Sequence, residues 1–298
     1  VWPIRGGMGF SKLTALRDSD QESGRRSFLP FRKATAAAGG AGTFGSGWQR
    51  ADIPPGGASA GSLNPGTICN YATTGSLLLA DAALSLPSTG MTRHLDRLGT
   101  ALTNTAAGLA FIYDRLWHGQ NLNPQITTTQ TIGSTALTRY TGAAAKHNKV
   151  SIEVVTALTG GGGNSTMTYT DQDGNTGQSV TDGNMTAATV QDRFYHTTEP
   201  WHLLASTDTG VRAIADLTFG TAATAGACRI VIWRPLIALS ISAASTGVIG
   251  GAVERELMML LPRLTDDAAD GPCLNFMQQF AGTGSSSNFA GALWASMA

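Results

Sequence analysis

The sequence predicts a mainly β protein: an antiparallel β-sandwich or jelly-roll-like domain with an extended N-terminal arm and a few short helices. Three observations carry this. Between residues 125 and 240, short β-branched runs alternate with turn signals at the spacing of a sandwich. Gly is 37 of 298 residues, about 12% against a usual 7% or so. Charged residues are only 13%, about half the usual 25%, and 20 Lys+Arg balance 20 Asp+Glu. A neutral, charge-poor surface has little self-repulsion and favours association.

Taken in order, residues 1–66 read as an extended anchoring arm. Arg25-Arg26-Ser27-Phe28-Leu29-Pro30-Phe31-Arg32-Lys33 is a basic and aromatic cluster, followed by the small-residue run 34–47, then Trp48 and Ile53-Pro54-Pro55-Gly56-Gly57. Isolated large side chains between flexible spacers cannot bury a core of their own. The arm is expected to drape over a neighbour, with Phe28, Phe31 and Trp48 as anchors and Arg25, Arg26 and Arg32 as interfacial ion-pair partners.

Residues 67–124 form a mixed segment. Apolar residues at 91, 95, 98, 102 and 109 have mainly three- and four-residue spacings and predict a short amphipathic helix, weakened by Thr and Gly108. Asn123-Pro124 ends it in a turn. The core of the sandwich is residues 125–240, with strands predicted at 150–155, 166–170, 178–181, 201–204, 211–217 and 228–233. The Gly160–Gly163 run is a loop, and Asp173-Gly174 is a hairpin signal. Residues 241–298 predict a short helix stopped by Pro262, then a closing strand or second arm carrying Phe276, Phe280, Phe289 and Trp294.

Composition excludes broad classes. A chain with no surplus of Lys and Arg is no general polyanion binder, and at 42% hydrophobic it is too apolar to be disordered throughout. No run reaches the roughly 18–20 apolar residues of a membrane helix; the best, Ile230–Ile249, is broken by Arg234 and Pro235. The start lacks a basic n-region and an apolar h-region. Cys69, Cys228 and Cys273 are far apart in sequence, form no C-x-x-C pair, and read as small buried hydrophobes in a reducing compartment.

Chemical motifs are sparse. Asp171-Gln172-Asp173-Gly174-Asn175 has Thr176 where a calcium-binding EF-hand needs Gly and Asp182 where it needs Glu, so a hairpin explains it without an ion. His196 and His202 bracket Glu199-Pro200-Trp201, but Pro200 prevents a helix from presenting a ligand set, and both read as surface loop histidines. Asn164-Ser165-Thr166 fits a glycosylation acceptor but reads as a polar turn. The sequence holds no Walker loop or obvious carboxylate pair. Catalytic residues, metal ligands and cofactors are therefore expected to be none.

Asp114-Arg115-Leu116-Trp117-His118-Gly119, followed by Thr127-Thr128-Thr129-Gln130-Thr131, resembles a "DRLW…G…TTTTAQT" element of a tailed-bacteriophage virion protein family. Thr207-Asp208-Thr209-Gly210-Val211-Arg212-Ala213-Ile214, with Ile232-Trp233-Arg234-Pro235-Leu236, resembles that family's "GDTGVRSV…YRPL" element. The specific likeness amounts to about twenty residues. It implies a virion structural protein and supplies no catalytic residues. In the fold it implies, Asp114 and Arg115 orient a turn, Trp117 fills the core, and Arg234-Pro235 ends a strand. The expected role is a head-associated cement or decoration protein, with the major capsid protein or neighbouring virion proteins and further copies of itself as partners. A tail, collar or baseplate protein that contacts host glycans is the alternative. No sequence-specific nucleic acid or membrane partner is expected.

Overall fold

The computed structural model describes residues 26–34, 42–50, 52–77, 93–102, 108–186, 190–196, 198–241, 253–256, 271–280 and 288–297. Fifteen strands run through them: β1 (Arg26–Ala34), β2 (Phe44–Ser46), β3 (Asp52–Ile53), β4 (Thr67–Ile68), β5 (Arg93–Leu102), β6 (Gly108–Leu122), β7 (Gln130–Thr131), β8 (Lys149–Gly160), β9 (Gly163–Asp171), β10 (Gln178–Met185), β11 (Val211–Phe219), β12 (Ala223–Ile241), β13 (Val253–Glu256), β14 (Leu274–Phe280) and β15 (Asn288–Met297). One six-residue 3-10 helix, Gly142–His147, interrupts them. The mainly β, antiparallel architecture is the one the sequence predicts.

The strands form three sheets. A six-stranded sheet runs β2-β14-β6-β12-β8, with β4 also pairing to β6; a four-stranded sheet runs β10-β9-β11-β7; a five-stranded sheet runs β13-β5-β15-β1-β3. The main core lies where the six- and four-stranded sheets face each other. It takes Val150, Ile152 and Val154 from β8 and Cys228, Ile230 and Ile232 from β12; Met167, Tyr169, Ile214, Leu217 and Phe219 come from the opposing sheet. On β8, β12 and β9 these positions repeat every second residue, as strand geometry requires; on β11 the step from Ile214 to Leu217 crosses a register shift. The intervening Val231 and Trp233 of β12 pack on the other face with Phe44, Tyr113, Phe194 and Met277. A strand buried on both faces reads as a nearly continuous apolar run, which explains Cys228–Trp233.

Four expectations are corrected. Where the helix expected across 91–112 is described, it is replaced by strand: 93–102 are β5 and 108–112 begin β6. Gly99, Thr100 and Gly108 are poor helix formers, and pairing of β5 with β13 and β15 satisfies its backbone instead. Within the second expected helix, residues 253–256 are strand β13, and 257–264 lie outside the described residues. Residues 201–204 are a loop whose His202 N–H donates to the Val150 carbonyl at 2.7 Å. The arm expected over 1–66 is not free where it is described, because β1 pairs residue by residue with β15, and β2 pairs with β14; residues 1–25, 35–41 and 51 lie outside the described residues.

Candidate functional site

The densest polar chemistry lies on the face of the six-stranded sheet opposite the sandwich core. Glu153 on β8 stands opposite Arg229 on β12, and β6 brings Arg115 from the other side. Arg115 donates through Nη1 and Nη2 to the two Glu153 oxygens, each at 2.9 Å. Ser46 Oγ donates to Glu153 Oε1 at 2.7 Å, and Arg229 Nε lies 3.4 Å from Oε2. The Arg115 guanidinium also covers the Trp48 ring at 4.1 Å and donates from Nε to His118 Nδ1 at 3.1 Å. All of these side chains are buried.

Burial alone would raise the Glu153 carboxyl, but Arg115 and Arg229 outweigh it and hold it below its ordinary value. Arg229 is pushed down to about 10, chiefly by burial, despite Glu153. Asp192, paired with Arg50 at 2.8 Å, is raised to about 6 by burial. A second buried pair lies beside the first. Arg139 holds Asp114 with Nε at 3.1 Å and Nη2 at 2.8 Å, and donates from Nη1 to the Cys69 carbonyl. These networks clamp β6 to its neighbours in one register. Among the described residues no group of three His, Cys, Asp or Glu stands ready for a metal.

A groove of about 510 Å³ opens next to this network, lined by Gln49, Ser59, Asn121, Thr156 and Gln191 together with the apolar Val155 and Ala227. Its amides and hydroxyls are neutral donors and acceptors, a lining that suits an uncharged polyhydroxyl surface better than an ion.

The predicted site residues fall as follows. Phe31 is 3% exposed and stacks on Phe276 at 6.5 Å. Trp48 is 1% exposed and lies against His118 at 5.5 Å. Both are taken up by this chain's own core, so neither can anchor a neighbour. Arg32 forms its ion pair within the chain, to Asp52 at 2.7 Å. Its neighbour Lys33 is buried, with Nζ donating to the carbonyls of Arg50, Pro54 and Pro55. Arg26 and Phe28 lie on β1 with side chains outside the described set, and Arg25 lies outside the described residues.

Trp117 fills the core as expected, its Nε1 donating to the Pro65 carbonyl at 3.0 Å. Asp114 and Arg115 orient no turn, since both sit inside β6. Arg234-Pro235 does not end a strand: β12 continues to Ile241, and Pro235, which cannot donate to the ladder, is absorbed by a register shift before Ile237. Arg234 covers the Tyr140 ring at 4.4 Å.

The histidines are also corrected. His196 and His202 are fully buried and meet edge to face, 5.7 Å between ring centroids. His202 Nε2 is 3.0 Å from Ser165 Oγ, and His196 Nε2 is 3.6 Å from Asp182 Oδ2. Two segments far apart in sequence close on these rings, which no local pattern could show. Glu153, Arg229 and Arg139 escaped the sequence reading as well. The available signal was a charge inside an apolar strand: Glu153 within Val150–Val155, and Arg229 within Cys228–Trp233.

Comparison with known proteins is nearly silent. No protein-family model and no curated protein matches the chain. Among solved structures, the infectious bursal disease virus VP2 subviral particle aligns over 92% of this chain and 81% of that chain at 10% identity. The TM-score of that alignment is 0.17, too low for the likeness to bear on fold or function.

Proposed function

We propose that this chain is a structural protein of a tailed-bacteriophage particle, a head-associated cement or decoration component that stabilises the capsid lattice. It acts mechanically, as a homo-oligomer bound to the major capsid protein or neighbouring virion proteins. The observation that carries this reading is the pair of sequence elements resembling that virion family. Their placement supports it: the elements are neighbours in space, with Arg234 opposite Asp114, Trp233 opposite Arg115 and Ile232 opposite Trp117. Gln130 and Thr131 of the Thr-rich element pair with Leu217 and Asp216, on the strand that begins at Val211. Residues shared as motifs thus pair with one another inside the two sheets of the sandwich, as fold-specifying residues should. Low charge and zero net charge suit a protein packed among copies, where modest contacts act at high effective concentration. Since Phe31 and Trp48 are used internally, attachment is assigned to other surface.

The test is copy number in purified virions, by quantitative mass spectrometry against the major capsid protein. Hundreds of copies are expected of cement. A ring-like count of about three to twelve would move the chain to the tail or portal vertex, and none would remove it from the particle.

One observation favours the tail, collar or baseplate reading with host-glycan contact, namely the neutral polar groove. On that reading Gln191→Ala and Asn121→Ala abolish binding to host surface polysaccharide while leaving the fold intact. Binding that is absent from the parent protein would rule the reading out.

A further inference from the structure

Cys69 and Cys273, about two hundred positions apart in sequence, come together at a seam in the six-stranded sheet. One edge of β6 is shared by two short partners. β4 covers it opposite Trp117 and His118, and β14 covers it from Asp114 towards Gly108. Cys69 directly follows β4, and its N–H donates to the Leu116 carbonyl at 2.9 Å. Cys273 directly precedes β14, and its carbonyl accepts the Arg115 N–H at 2.9 Å. Where one strand stops and the other starts, the two cysteines pack together against Trp48. Both are reduced and fully buried.

The surroundings distinguish the two sulfurs. His118 Nδ1, which accepts from Arg115 Nε, stands 3.3 Å from Cys69 Sγ. Burial opposes a Cys69 thiolate, but Cys273, His118 and Arg115 outweigh burial and hold this thiol well below its ordinary value. Burial pushes the Cys273 thiol up. One sulfur is thus suited to attack and the other to resolve. Cys228 lies in the sandwich core among Val154, Leu122 and Ile230, where burial raises its thiol.

We propose that Cys69 and Cys273 form a peroxide-oxidisable dithiol whose disulfide staples β4 to β14 along the edge of β6. The Cys69 thiolate attacks one oxygen of hydrogen peroxide. An S–O bond forms, the O–O bond breaks, and hydroxide leaves with the proton Cys69 gave up, as water. The Cys273 sulfur then attacks the Cys69 sulfenic acid. The S–S bond forms, the S–O bond breaks, and a second water leaves with the Cys273 proton. Two thiols are oxidised by two electrons and one peroxide is reduced to two waters. A water-sized oxidant suits a site that larger disulfide reagents cannot reach.

The experiment exposes the folded full-length chain to dilute peroxide, quenches free thiols, and reads intact mass and non-reduced peptides. The expected product has lost two hydrogens and carries a Cys69–Cys273 crosslinked peptide; it melts higher than the reduced protein, and dithiothreitol reverses the shift. Cys228→Ser leaves the product unchanged. Cys273→Ala leaves a sulfenic acid at Cys69, read as one added oxygen in the intact mass, while Cys69→Ala gives neither crosslink nor added oxygen. Should either variant fail to fold, the wild-type crosslink map alone decides. Two free thiols after peroxide treatment, or a crosslink through Cys228, overturns the proposal.

Discussion

Glu153 shows how much one buried charge holds. It accepts from Arg115 and Ser46 and faces Arg229, all out of reach of water. Removing one partner of such a set leaves charges buried and uncompensated, which typically costs about 3–5 kcal/mol. Glu153→Ala should lose that much in urea unfolding, whereas Arg32→Ala, which removes an exposed pair with Asp52, should leave the midpoint unchanged. The histidine pair makes the second argument at this scale. Burial, then repulsion from His202, drives His196 from 6.5 down to about 3, against the attraction of Asp182. His202 is lowered too, chiefly by burial. A base with a depressed folded pKa is protonated first in the unfolded chain, so its contribution is intact above about pH 6.5 and lost progressively towards pH 3. Asp192, raised to about 6, has the opposite sign between its ordinary value near 3.8 and pH 6. Two histidines against one carboxylate leave net destabilisation on acidification. The melting temperature should therefore fall between pH 6.5 and 4, and His196→Gln should flatten that limb; an unchanged slope would remove His196 as the cause. Glu153 was visible in the sequence as a charge within an apolar strand, whereas the histidine contact was not, because its partners lie on separate loops and strands.

The strands legible in the sequence are those whose own residues carry the pattern. β9, with Ser165, Met167, Tyr169 and Asp171 inward, alternates cleanly, and the β9–β10 turn is fixed locally by Asp171 Oδ1, which accepts the N–H groups of Asp173, Gly174 and Asn175. β5 was misread because Leu95, Leu98 and Leu102 carry a helical spacing, and β1 because its apolar residues do not alternate; it is pairing to distant strands that makes both strands. β1 can be tested directly. Phe31 seals it to β14 by stacking on Phe276, and a buried Phe→Ala truncation costs about 3–5 kcal/mol. Phe31→Ala should thus destabilise the isolated chain by that amount in chemical denaturation. A variant of undiminished stability that detached from particles would restore Phe31 as an anchor for a neighbour.

The whole molecule is organised by pairings between distant parts of the chain. β15 lies between β5 and β1 in the five-stranded sheet, joining residues 288–297 to 93–102 and 26–34. Such closure places the entropy of large loops ahead of the contacts that reward it, and it leaves no local trace, so the joining of the chain's two ends into one sheet was illegible in the sequence. Its energetic role follows from the topology. Without β15, among the described residues β5 keeps only the four-residue β13, and β1 keeps only the two-residue β3. The sandwich keeps β8, β9, β11 and β12 and the core between them. Deleting residues 288–298 should therefore abolish hydrogen-exchange protection across 26–34 and 93–102 while β8, β9 and β11 exchange as slowly as in the parent. If protection vanished along the entire chain, the five-stranded sheet and the sandwich would be one cooperative unit. Were protection unchanged in β1 and β5, β15 would not be holding them. The expected pattern gives the molecule a sandwich stable by itself and a second sheet that depends on one strand.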